Sequence, residues 1–120
     1  MPHIVLNKSL NLFDYAILFK PIFQKTPLIK IHKMHTDIDG TNALFSTVVI
    51  DNSHQEFFIH VMTNKDRTTI RLLPVTDPEK TDAVKQSLVN LALQIMEFYP
   101  DMEVTKSNLW DYLKIPITNE

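Results

Sequence analysis

The sequence predicts one α+β domain over residues 1–120, with a mostly antiparallel sheet and two helices on one face. Three observations predict it. Apolar residues recur with a period of about two from residue 28 to residue 75, which is typical of strands. They recur with a helical period from residue 84 to residue 99, and a shorter strand and helix come first. A chain of 120 residues is also long enough to bury one core.

The N-terminal elements are a strand and then a helix. Residues 2–8 predict the strand, because polar and apolar side chains alternate there. Residues 9–26 predict the helix, with Asn11 as its N-cap. Because proline has no N–H to donate, we expect a kink or a break at Pro21.

Four β-rich runs follow, separated by short segments with turn-forming residues. They indicate an antiparallel meander, so the element order is a strand, a helix, two to four strands and a second helix. The runs are residues 28–36, 42–51, 56–64 and 68–75. The residues expected to face the core are Ile29, Ile31, Val48, Ile50, Ile59, Val61, Ile70 and Leu72.

The second helix is predicted over residues 76–99. Thr76 and Glu79 have the spacing of a capping box, and Pro78 falls in the first turn, where it is tolerated. Pro100 ends the helix, and a short strand and a helical turn at residues 107–113 are expected after it. A sheet with helices on one face only exposes apolar side chains on the other, so we expect an oligomer.

Composition excludes several classes of function. The net charge of −2 and the scattered basic residues argue against nucleic-acid binding. The chain has no cysteine, and its single glycine argues against a phosphate-binding loop. No segment is apolar enough to span a membrane, and there is no signal-peptide pattern, so a cytoplasmic location is expected.

The histidines do not predict a metal site. His32 and His35 are three apart on a predicted strand, which would point them to opposite faces of the sheet. His60 is expected to be a hydrogen-bonded residue of the sheet that titrates if it lies near a cleft. No metal site is therefore expected from the histidines.

Pro2 suggests a different chemistry. If Met1 is removed, Pro2 carries a free secondary amine, whose pKa falls when it is buried or lies beside a cation. Such a base can move a proton from one carbon to another through an enol, if a cation or a hydrogen-bond donor holds the enolate oxygen.

The sequence "MPHIVLNKSLNLFDYAILF" resembles the opening of the 5-carboxymethyl-2-hydroxymuconate isomerases of the tautomerase superfamily. Weaker similarities follow in the same order along the chain. They are "PLIK" at residues 27–30, "FIH" at 58–60, "DPEKTDAVKQSLV" at 77–89 and "EFYPDMEVTKSNLWDYLK" at 97–114. Together they touch about half of the chain.

The resemblance implies a β-α-β subunit in a homotrimer, with active sites between subunits and no cofactor. It implies Pro2 as the general base and cations that bind a small-molecule carboxylate substrate at Lys30, or Lys33, and at Arg67. The chain departs from the family in three ways. It lacks the Gly-x-Gly-Arg pattern, it is one hairpin longer between the helices, and it has a helical spacing at residues 88–99, where the family has a strand. Lysine in place of arginine also loses the bidentate fork.

Two functions follow from the sequence. The first is a cofactor-independent tautomerase or isomerase that moves a proton in an unsaturated keto or enol acid. The alternative is a non-catalytic α+β domain for oligomerisation or protein interaction, which would bind through the second face of its sheet or through the segment around Trp110.

Overall fold

The computed structural model describes residues 1–113, in which seven strands and two helices form one α+β unit. The strands are β1 (His3–Leu6), β2 (Ile22–Gln24), β3 (Leu28–Thr36), β4 (Asn42–Ile50), β5 (His54–Thr63), β6 (Thr68–Leu72) and β7 (Val104–Ser107). The helices are α1 (Leu12–Leu18) and α2 (Asp82–Phe98), and a helical turn follows at residues 110–113.

The strands form a single sheet in the order β2-β3-β4-β5-β6-β1-β7. Every pair of neighbours is antiparallel. The predicted meander is therefore confirmed as β3 to β6. The first strand, β1, lies between β6 and β7. The segment that contains α1 then connects β1 to β2 at the opposite edge of the sheet.

Both helices pack on one face of this sheet, as expected. Alternate residues of β1 and of β3 to β6 point toward the helices and are almost fully buried. Tyr15 of α1 lies in this core among the rings of Phe19, Phe45 and Tyr99. Its hydroxyl donates a hydrogen bond to Oε1 of Gln94 on α2 at 2.5 Å, which ties the two helices together.

The predicted core face of β4 is wrong. Val48 is half-buried and Ile50 is 42% exposed, whereas Phe45 and Val49 are fully buried. Apolar residues at positions 48, 49 and 50 occupy both faces of the strand, so alternation alone does not choose between them. The choice is made by pairing with β5, where Phe45 lies opposite the buried Ile59.

The predicted first helix is too long. Asn11 is its N-cap as expected, because its side chain accepts hydrogen bonds from Phe13 N at 3.0 Å and Asp14 N at 3.1 Å. The helix ends at Leu18, before Pro21, and residues 22–24 form β2 on the edge of the sheet. Three residues there gain ladder hydrogen bonds to β3 that a short, proline-interrupted helix does not offer.

The second helix begins later than predicted. Its N-cap is Thr81, whose hydroxyl accepts from Val84 N at 3.3 Å. Thr76 is not a cap, because its hydroxyl donates to Leu73 O and accepts from Phe58 N. Residues 82–98 are helical, so the spacing of residues 88–99 predicted the structure correctly as far as residue 98.

We predict that Gly40→Ala destabilises the fold. Gly40 has φ +70°, and an added Cβ would lie 2.5 Å from Cε2 of Phe13. The left-handed backbone and the displaced ring together should lower the free energy of unfolding by about 1–3 kcal/mol. Urea denaturation measures this loss, and the same change made in a Phe13→Ala background should cost less. Equal stability of Gly40→Ala and the unmodified protein would contradict the prediction.

Candidate functional site

The side of the sheet that faces away from the helices is the candidate site, and we call it the outer face. In the part of the chain that the structure describes, no helix covers it. Its residues alternate with the buried ones along each strand. They are Phe23 of β2, Leu28, Lys30, His32, Lys33 and His35 of β3, the even-numbered residues 42–50 of β4, the even-numbered residues 54–62 of β5, Thr69 and Arg71 of β6, His3 and Val5 of β1, and Lys106 of β7.

All five histidines of the chain lie on the outer face. The expectation that His32 and His35 point to opposite faces is wrong. A β-bulge between Ile31 and Lys33 shifts the register of β3, so that two residues on opposite sides of the bulge can share a face. His35 pairs with the outward-facing Leu44, and His32 lines a cavity of about 240 Å³ with Ser46, Glu56 and Phe58.

Basic residues outnumber acidic ones on this face. Lys30, Lys33, Arg71 and Lys106 stand against one strand carboxylate, Glu56, which pairs with His54 at 3.1 Å. The whole chain has a net charge of −2, so the excess of acidic residues lies on the helices and in the loops. The strands therefore give the outer face more cations than carboxylates, although Asp37 of the β3–β4 turn also borders it.

A row of paired residues crosses the middle of the outer face. His35 lies opposite Leu44, Leu44 opposite His60, His60 opposite Arg71, and Arg71 opposite His3. Directly opposed residues in an antiparallel pair are about 5 Å apart. Three histidines and one arginine from four different strands are therefore brought into one row, which we call the histidine row.

Hydrogen bonds join the centre of the histidine row to the turn between β3 and β4. Arg71 Nε donates to His60 Nδ1 at 3.3 Å, and His60 Nε2 lies 2.9 Å from Oδ1 of Asn42. Nδ2 of Asn42 donates to the carboxylate of Asp37 at 3.0 Å. Burial and the Arg71 cation lower the pKa of His60, and the hydrogen bond from Asn42 is the main cause that lowers the pKa of Asp37.

Apolar side chains are interspersed with these polar groups. Leu44, Val48 and Phe58 are half-buried, and Met62 is 37% exposed. Leu44 and His60 line a shallow cavity of about 340 Å³ together with residues 35–37 and 42–43. Among residues 1–113, the face therefore offers shallow apolar contacts with cations around them.

The structure places Pro2 just before β1, with a buried ring and with Met1 attached to its nitrogen. Asn108 holds this segment on both sides. Its Nδ2 donates to the carbonyl oxygen of Met1 at 2.8 Å, and its Oδ1 accepts from His3 N at 3.0 Å. The terminus is thus fixed against the loop that follows β7.

The predicted substrate-binding cations lie far from Pro2 within one chain. Lys30 and Lys33 are on β3, four strands from β1, which corresponds to about 19 Å along the sheet. Arg67 is in the β5–β6 turn, beside the end of β1 that carries Leu6, whereas Pro2 lies at the opposite end. One chain does not bring Pro2, Lys30, Lys33 and Arg67 together, so their joint role remains a prediction about an assembly of subunits.

Arg71 and Asn42 are not among the site residues that the sequence predicts. The signal for Arg71 is its place as the one charged residue of the run "TTIRL", between the apolar Ile70 and Leu72. Its approach to His60 depends on the register of β5 and β6, which the sequence does not specify. Strand register also decides that the four cations of the strands, Lys30, Lys33, Arg71 and Lys106, share one face of the sheet.

Two negative findings apply to residues 1–113. No group of three or more histidine, cysteine, aspartate or glutamate side chains is placed to hold a metal ion. None of the helices in this range has both the length and the apolar character needed to cross a membrane.

We predict that His60 makes the fold less stable in acid. Because the pKa of His60 in the folded protein is below its ordinary value of 6.5, the unfolded chain binds a proton there more readily. Stability should therefore fall as the pH drops below about 6.5, and His60→Gln should reduce that loss. Urea denaturation of both proteins between about pH 7 and pH 5 measures the two slopes. Parallel slopes would show that His60 does not contribute.

Comparison of the chain with protein-family models, with curated proteins and with solved structures finds no match.

Proposed function

We propose that this protein is a non-catalytic binding domain that takes up an acidic segment of another protein on its outer face. The observation that carries the proposal is the excess of cations on the outer face, where four cations and all five histidines accompany two carboxylates, Glu56 and Asp37. Complementary charge steers a partner to such a surface and excludes partners of the same sign.

A second copy of the chain is a poorer partner for this face. A two-fold dimer brings the same surface of each copy together. Two outer faces in contact would set Lys30, Lys33 and Arg71 of one copy against the same cations of the other, and like charges at an interface are costly. A two-fold contact through the outer face is therefore disfavoured, and the partner that we propose is a different protein.

The apolar residues of the face favour a protein over a single-stranded nucleic acid. Sites for single strands stack successive bases on several aromatic side chains. Two phenylalanines lie on the outer face of the described strands, Phe58 on β5 and Phe23 on the edge strand β2, and three strand spacings of about 4.8 Å separate them. The apolar residues beside Phe58 are Leu44 and Val48, diagonally across from it on β4. Aliphatic side chains of a peptide can pack on these residues while its carboxylates meet the cations around them.

We predict that reversing two charges on the outer face abolishes most of this binding. The probe is a synthetic peptide in which pairs of glutamates alternate with single leucines. Lys30→Glu with Lys33→Glu should weaken its binding at least about tenfold, because each attractive charge becomes repulsive. Isothermal titration calorimetry gives the affinity, and amide chemical shifts should change along β3 to β6.

The matched control is Lys20→Glu with Lys25→Glu, which changes the net charge equally outside the outer face. It should bind the peptide almost as well as the unmodified protein. Equal losses of affinity in the two double variants would show that binding depends on net charge alone, and would overturn the proposal. Tighter binding of an oligothymidylate than of the peptide would overturn it in favour of nucleic acid.

The isomerase is the second candidate, and the position of Arg71 favours it. Arg71 lies opposite His3, so a cation on the neighbouring strand is one residue away from Pro2 along β1. If Met1 is removed, Pro2 would supply the base, and a trimer of the kind that the resemblance implies would complete the site. The buried ring of Pro2 is consistent with an amine of lowered pKa.

We predict for this candidate that Pro2→Ala lowers turnover of an unsaturated keto acid at least about 100-fold, because the general base is lost. Pro74→Ala, at an exposed proline, should leave turnover unchanged. The assay follows enol absorbance over a panel that includes a carboxymethyl-hydroxymuconate. The intact mass of untagged protein is measured in parallel, and full activity of molecules that retain Met1 would exclude the mechanism.

A further inference from the structure

Arg71 occupies the centre of the histidine row, and its guanidinium is only partly used by the protein. Its Nε donates to His60, as described above. Among residues 1–113, neither of its two terminal nitrogens has a hydrogen-bond partner, and no carboxylate forms an ion pair with it. The side chain is half-buried on a strand whose neighbours on both sides present histidines.

The hydrogen bonds around Arg71 have a consistent direction. Because Nδ1 of His60 accepts from Arg71, the imidazole proton of the neutral ring lies on Nε2 and is donated to Oδ1 of Asn42. Nδ2 of Asn42 then donates to Asp37. The chain therefore runs from a cation through two neutral side chains to a carboxylate, with each donor matched to an acceptor.

This arrangement orients the guanidinium without neutralising it. Asp37 is separated from Arg71 by two side chains, so its charge acts only through them. Holding Nε restricts the plane of the guanidinium and leaves the edge formed by the two terminal nitrogens available. A carboxylate matches that edge with two parallel N–H···O bonds, a geometry that lysine does not provide.

We propose that Arg71 is the carboxylate-binding residue of the outer face and that His60 is its positioning residue. This inference rests on the proposed function, since it identifies where a glutamate or aspartate of the acidic segment docks. The surrounding lysines attract the segment by charge alone, whereas Arg71 fixes one carboxylate in a defined orientation.

The first experiment uses acetate as the probe. On titration with sodium acetate at constant ionic strength, the ¹⁵N and ¹H resonances of Arg71 Nε and the ring resonances of His60 should shift and saturate together. Arg71→Lys should abolish this saturable shift at His60, whereas Lys20→Arg, at an exposed lysine just after α1, should preserve it. No saturable shift at Arg71 or His60, or an equal response in both variants, would overturn the inference.

The second experiment tests the orienting role of His60 with the acidic peptide. Arg71→Lys should weaken peptide binding about tenfold, although the charge is unchanged, because the bidentate bonds are lost. His60→Ala should weaken it severalfold. His60→Gln keeps an oxygen that can accept from Arg71 Nε and should restore part of the affinity. Equal losses in His60→Ala and His60→Gln would assign His60 a merely structural role.

The two proposals can fail separately. If the peptide binds the outer face but Arg71→Lys binds it as well as the unmodified protein does, the inference is wrong and the binding domain stands. If acetate binds at Arg71 but the peptide does not bind, the carboxylate site stands and the proposed function is wrong. Amide spectra of each variant establish that it remains folded.

Discussion

The pairing register of β4 with β5 is the constraint on which the rest of the structure depends. In a sheet, a shift by one residue moves every side chain of a strand to the other face. With Phe45 opposite Ile59, the apolar set of both strands meets α1 and α2, and Leu44, His60 and their neighbours face outward. The pairs Val61–Ile70 and Ile29–Val49 carry the same division of faces to β6 and β3.

The division of faces also decides where the charged side chains of the strands lie. Folding is linked in this way to the binding that we propose for the outer face. The helix-covered face of the sheet accepts almost only apolar groups, so the lysines, arginine and histidines of the strands are placed on the other side. There they cannot be neutralised by the acidic residues of the helices, which lie across the core. A half-buried cation such as Arg71 then keeps two terminal nitrogens without a partner among residues 1–113, and these are the donors that the proposed carboxylate would accept from.

His60 connects this surface to stability. It is held by Arg71 and Asn42 in its neutral form, and its burial and the nearby Arg71 cation lower its pKa. A carboxylate bound at Arg71 would offset part of the positive charge that faces the imidazole. Binding of the proposed carboxylate, protonation of His60 and stability of the fold would thereby depend on one another. The contacts responsible come from three neighbouring strands, β4, β5 and β6.

The sequence by itself determined the α+β class, the meander, the cap at Asn11 and the helix over residues 82–98, because these depend on local periodicity and capping. It did not determine the inward face of β4, since Val48 and Val49 are equally apolar, or the switch to a strand at residues 22–24, which depends on a partner strand. It also did not reveal the bulge at His32, so the shared face of His32 and His35 was unexpected. The approach of Arg71, His60 and Asn42 was decided only by the tertiary structure, because strand register joins residues that are 11 and 18 positions apart.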